Sequence, residues 1–171
     1  MLQTRVRLAV LTLTILLGTA LVPDTLHAQG PSLVRLTIFA NVGGKPLTVR
    51  HDGECKHAPI AASYGVRSKM WKVSYGGAPD GEIHNLRLTM WRPLAGGAPD
   101  QVSFSLRAGG VDYAINTVKG STIRGSGTIT YKPNNDGSGG QFELHGRTAD
   151  DTQIRVRLVC PTISTLNPVG G

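Results

Sequence analysis

Apolar and polar residues alternate one by one along most of this chain. That period of two constrains the fold more than any other feature. Val34, Leu36, Ile38 and Ala40 alternate with Arg35, Thr37 and Phe39. Val102, Phe104 and Leu106 alternate with Ser103, Ser105 and Arg107, and Ile154, Val156, Leu158 and Cys160 alternate with Arg155, Arg157 and Val159. Such alternation buries one face of a strand and leaves the other in water, which is the pattern of antiparallel sheet. Glycine pairs and Asp-Gly steps recur between the runs, among them Gly43-Gly44, Asp52-Gly53, Gly109-Gly110 and Asp136-Gly137, and these break strands.

The spacing predicts strands over 33–40, 45–51, 68–75, 82–91, 101–107, 111–116, 124–131, 140–147 and 152–160. No helix is expected. The nearest candidate, 56–67, is interrupted by Pro59 and Gly65. A flat sheet of that many strands would leave an apolar face wet, so it must pack on another sheet or close on itself. The expected class is all-β, an antiparallel β-sandwich of about eight or nine strands. An up-and-down β-barrel is the alternative.

Residues 1–28 read as an export signal rather than as fold. Arg5 and Arg7 precede the apolar run Leu8–Val22, and Leu26-His27-Ala28 suits cleavage before Gln29. The run has 15 residues, short of the ~20 that span a bilayer. The expectation is a periplasmic or extracellular protein with no transmembrane span after cleavage. Residues 29–171 then form a single domain whose tail is loose from about 166. In an exported chain with two cysteines, Cys55 and Cys160 are expected to pair. The order Cys55, Trp71, Cys160 resembles that of immunoglobulin-like domains. It departs from them in the long cysteine separation and in Leu158, two before the second cysteine, where a corner tyrosine belongs. No residue role is taken from it.

Most catalytic signatures are missing. Gly125-Ser126-Gly127 lies in strand pattern, not on a strand-to-helix elbow. Lys132–Glu143 approaches a calcium loop through Asn134, Asp136 and Gly137, but Lys132 stands where the first carboxylate should be. The densest set of metal-ligating or acid–base side chains is His51, Glu54 and His57. They are weak candidates for a metal or for a small hydrolase, because Lys56 sits among them and their spacing matches no established pattern. No cofactor is expected.

Charge is more informative. The chain carries 18 Lys+Arg against 11 Asp+Glu. Arg35, Arg50, Arg87, Arg107, Arg155 and Arg157 all occupy polar positions of alternating strands, where guanidinium forks suit phosphate or carboxylate groups. Trp71 falls in the apolar set with Val73 and Tyr75. Trp91 falls with Arg87 and Thr89, and is expected outside as a ring-stacking residue. One such aromatic is too few for a nucleic-acid platform, so nucleic acid is not an expected partner. Met70–Asp80 is echoed by Met90–Asp100, two Met-Trp dipeptides each followed by Gly-Gly-Ala-Pro-Asp. Both copies are expected to be strand-and-loop units with glycine at turn positions. The expected function is therefore non-catalytic: an exported binding or envelope-associated β-domain contacting an anionic polysaccharide or a membrane surface. The alternatives are the hydrolase, or a small-ligand carrier if the fold is a barrel.

Overall fold

The computed structural model describes residues 32–63, 65–77 and 80–166; the segment expected to be an export signal and the last five residues lie outside the described residues. The described chain is all-β. Its strands are β1 (Leu33–Val42), β2 (Lys45–Ser63), β3 (Val66–Gly76), β4 (Ile83–Pro93), β5 (Gln101–Ala108), β6 (Val111–Asn116), β7 (Ser126–Pro133), β8 (Gly140–Arg147), β9 (Gln153–Cys160) and the two-residue β10 (Ser164–Thr165). All nine expected strands are present. The main difference is β2, which continues past His51 to Ser63. Its register with β3 shifts between Ala58 and Ala61, so Pro59 sits in an irregularity where no ladder N–H is required of it.

The nine long strands form one sheet in the order β6-β5-β4-β3-β2-β1-β9-β8-β7. Every ladder along that path is antiparallel. The sheet rolls over a single core and brings its two ends together, which makes it a nearly closed barrel, the second of the two architectures open from sequence. Eight antiparallel steps separate β6 from β7, so the two end strands run in the same direction. An odd number of strands cannot close as an antiparallel ring. Between these end strands the connection folds back through an antiparallel bridge of Asn116, the last residue of β6, to Arg124, two residues before β7.

Side chains fill the interior. Leu36, Ile38, Leu86, Leu88, Phe104, Leu144 and Ile154 are among those fully buried. The disulfide Cys55–Cys160, with Cα atoms 6.2 Å apart, joins β2 to β9, the strands on either side of β1. Closing a loop of about 100 residues contributes up to about 4.7 kcal/mol in the chain-entropy view. Beyond the start of β1, β10 takes its place beside β2: Ser164 pairs with Lys56, Thr165 with His57, and the Leu166 N–H donates to the His57 carbonyl. The expected tail thus remains tied to the sheet through Leu166.

Candidate functional site: a cationic, hydroxyl-lined face and an aromatic rim

The outer face of β2–β5 is built by register. Glu54, Ser74, Arg87 and Ser105 form one row across four strands. Lys56, Lys72, Thr89, Ser103 and Asn116 form the next, running on to β6. Met70, Trp91 and Gln101 form the third. The alternating partners of these residues, including Cys55, Val73, Leu88 and Phe104, are buried in the core, so the rows point to solvent. The first row, with Lys72, Thr89 and Ser103 of the second, lines a concavity of about 470 Å³, and Lys56 stands beside it.

Lys56 and Lys72 stand directly opposite each other. Like charges at opposed positions repel, since their Cβ atoms are only ~5 Å apart. Glu54 offsets one of them: its Oε2 lies 3.0 Å from Lys56 Nζ and accepts a 3.4 Å hydrogen bond from the Ser74 hydroxyl. Among the described residues neither Lys72 nor Arg87 has an acidic partner within 4.0 Å. Trp91 is half-buried at the edge of this face, beside Met70.

The six arginines singled out from the sequence are divided by the fold. Arg87 belongs to the face just described. Arg35 and Arg107 lie one row above it, each beside a carboxylate, Asp52 at 3.5 Å and Asp112 at 3.9 Å. Arg155 and Arg157 lie on β9, facing His145 and Glu143 of β8, and Arg157 covers the Phe39 ring at 4.2 Å. Arg50 lies on the neighbouring part of β2, opposite Thr37. No single face gathers all six. The structure adds Lys56 and Lys72; in sequence Lys56 reads only as a charge among His51, Glu54 and His57, because it falls where β2 was expected to have ended. Lys72 was visible as the polar neighbour of Trp71 and Val73.

His51, Glu54 and His57 do not converge. His51 is exposed and meets Tyr75 edge-on at 5.9 Å. Glu54 points outward to Lys56. His57, three residues on and so on the opposite face of β2, points inward and stacks on Trp71 at 4.7 Å. Among the described residues no three His, Cys, Asp or Glu side chains are placed to hold a metal. Asn134 and Asp136, of the calcium-like stretch, lie in the β7–β8 turn, where Asp136 accepts from the Ser138 N–H and hydroxyl.

A second constellation occupies the barrel rim at which β1 begins. His57, Trp71, Tyr131 and Phe142 form a chain of rings with centroids 4.7, 5.0 and 4.8 Å apart. The Arg92 guanidinium lies 5.5 Å from the Trp71 ring centre. It is held by three hydrogen bonds to Asp100, from Nε to Oδ1 at 3.0 Å and to Oδ2 at 3.2 Å, and from Nη2 to Oδ2 at 2.7 Å. Burial, helped by the nearby Lys69 charge, holds the His57 imidazole below its ordinary pKa. Its Nε2 is buried and has no hydrogen-bond partner among the described residues. Sequence reading did not find this rim, because it joins β2, β3, β4, β7 and β8 through contacts distant in the chain.

Comparison with protein families, curated proteins and solved structures finds no match for this chain.

Proposed function

We propose that this protein is an exported, non-catalytic binding domain that holds an acidic polysaccharide on the outer face of β2–β5. The observation that carries this reading is the opposition of Lys56 and Lys72 beside Arg87, amid the hydroxyls of Ser74, Thr89, Ser103 and Ser105. With Lys56 held by Glu54, a bound carboxylate or sulfate is met by Lys72, and the Arg87 fork takes two of its oxygens. The hydroxyls match sugar hydroxyls, and Trp91 at the edge offers a ring face for stacking. A concavity suits a polymer chain better than a flat bilayer. The reading requires no cofactor. Export is supported by the disulfide, which oxidising compartments favour. Among the described residues no helix is long and apolar enough to cross a membrane.

Retention on an immobilised acidic polysaccharide, at low and at physiological salt, tests the reading. The protein is expected to bind at low salt and weaken as salt screens exposed charge. Lys72→Ser with Arg87→Ser is expected to weaken binding about tenfold, from two exposed ion pairs at about 0.5–1 kcal/mol each. Arg155→Ser with Arg157→Ser, on β9 beyond β1 and outside the lining of the concavity, is expected to leave it nearly unchanged. Absence of retention at low salt, or equal loss in the two double variants, overturns the proposal. Binding to anionic vesicles but not to polysaccharide assigns the face to lipid instead.

A further inference from the structure

We infer that a tongue formed by the ends of β2, β3 and β4 docks on an anionic lipid bilayer, beyond the polysaccharide face. The registers build this tongue. β1 begins opposite Glu54, and β10 accompanies β2 only at Lys56 and His57. β5 begins opposite Trp91. Residues 59–63, 66–69 and 92–94 therefore reach past the strands on either side, and in the sheet they pair only with one another. The Leu94 N–H carries the pairing on by donating to the Arg67 carbonyl.

Two observations point to a bilayer. Among the described residues six large apolar side chains stand exposed, and three of them, Ile60, Val66 and Leu94, belong to the tongue, at 53%, 42% and 43% exposure. Exposed apolar residues gathered in one place mark an interaction surface. Leu94 lies beside Arg67, whose neighbour Val66 takes the other side of the strand. An apolar tip with both sides exposed suits entry into a fluid apolar medium more than packing of one face on a protein. The second observation is charge. These three segments contain three cations and no acid. Arg92 is taken by Asp100, but Arg67 and Lys69 are exposed and have no acidic partner within 4.0 Å among the described residues. Lipid phosphates supply the missing counter-charge, with the long basic side chains reaching back to the headgroups. Insertion is shallow, because the outer edges of 59–63 and 92–94 carry unpaired backbone groups that must stay with water and headgroups.

Sedimentation with vesicles of phosphatidylcholine, with and without phosphatidylglycerol, tests the inference. We expect binding to the anionic vesicles, half complete at about 1 mM lipid, against the ~0.1 mM of a single acyl anchor. Little binding to phosphatidylcholine alone is expected. Arg67→Ser with Lys69→Ser is expected to weaken binding about twenty-five-fold, from about fivefold for each cation near an anionic surface. Ile60→Ser with Leu94→Ser keeps every charge and is expected to weaken it about tenfold. Lys72→Ser with Arg87→Ser removes the same charge from the polysaccharide face and is expected to cost less than about threefold. Vesicle binding that survives this last variant belongs to the tongue, so failure of that face and failure of the tongue are told apart. Indole emission from Leu94→Trp is expected to move to shorter wavelength on anionic vesicles. No such shift, equal loss in the two charge variants, or full binding by Ile60→Ser with Leu94→Ser overturns the inference. A dimer that the apolar variant dissociates would assign the tongue to a second copy, and stronger vesicle binding on deletion of 167–171 would assign it to the chain's own tail; either result overturns it too.

Discussion

The two Met-Trp copies occupy adjacent strands and meet each other directly, Met70 opposite Trp91 and Trp71 opposite Met90. In antiparallel register this forces the two tryptophans onto opposite faces. Trp71 and Met90 enter the core, with Trp71 only 5% exposed, while Met70 and Trp91 are half-buried on the outside. The residues that follow divide in the same way. Lys72 points to solvent on the cationic face; Arg92, its counterpart, turns inward over Trp71 and is clamped by Asp100 of its own copy. Asp80, the counterpart of Asp100, is exposed. One repeated sequence thus supplies two different environments, because the phase of a strand relative to the core, rather than the residues themselves, decides which side chains are buried.

Exchange of the tryptophans is the strongest way to break this comparison. Trp71→Ala is expected to cost about 3–5 kcal/mol, the range for losing a large aromatic from a packed core. Trp91→Ala is expected to cost about 0.5 kcal/mol, as for an outward position, while weakening polysaccharide retention. Urea unfolding of the two variants, set beside their retention, measures both. Equal destabilisation would mean that the faces are not distinguished as described.

The glycine pairs sharpen the contrast. Gly-Gly was expected at a turn position in both copies, where positive φ is one reason for glycine. Gly97 has it, at 89°, with open space around its Cα. Gly77 does not; there a Cβ would collide with the Ile83 carbonyl oxygen and stand 2.7 Å from the Tyr75 hydroxyl. The Gly77 N–H donates to the His84 carbonyl at 2.7 Å, so the backbone is pinned where the side chain would clash. Gly77→Ala is expected to cost about 1–3 kcal/mol through overpacking. Gly97→Ala is expected to cost about 1–2 kcal/mol through left-handed strain, and Gly96→Ala, which meets nothing within 4 Å, much less. Thermal or urea unfolding of the three variants ranks them.

The smallest effect is one of pH, and it acts on the inward copy alone. Burial and Lys69 lower the His57 pKa in the folded protein. As pH falls, the unfolded chain therefore takes up this proton first, near about 6.5. The contribution of His57 to stability is full above that value, declines as pH drops through it, and is lost once the folded imidazole also titrates. Unfolding free energy measured from pH 8 to 5 should fall more in the native protein than in His57→Phe. Indole emission should report the change in a Trp91→Phe background and not in Trp71→Phe.

Much of this arrangement is legible in the sequence. Alternation marks Trp71 as a companion of Val73 and Tyr75, and Trp91 as a companion of Arg87 and Thr89. It also delimits the strands, and two cysteines leave one pairing within the chain. The end of β2 is less legible, because Pro59 and Gly65 resemble a break while the ladder absorbs Pro59 in a register shift. Alternation is a property of each strand alone, settled by backbone geometry over a few residues. Which strands adjoin, and in what register, is decided by long-range pairing and by packing around one core. The sequence by itself therefore determined the antiparallel all-β class, the disulfide and the outward phase of the arginines. Only the tertiary structure rolled nine strands into one nearly closed sheet with a seam at β6 and β7. It also separated Arg155 and Arg157 from Arg87, set Lys56 against Lys72, and brought His57, Trp71 and Tyr131 to one rim.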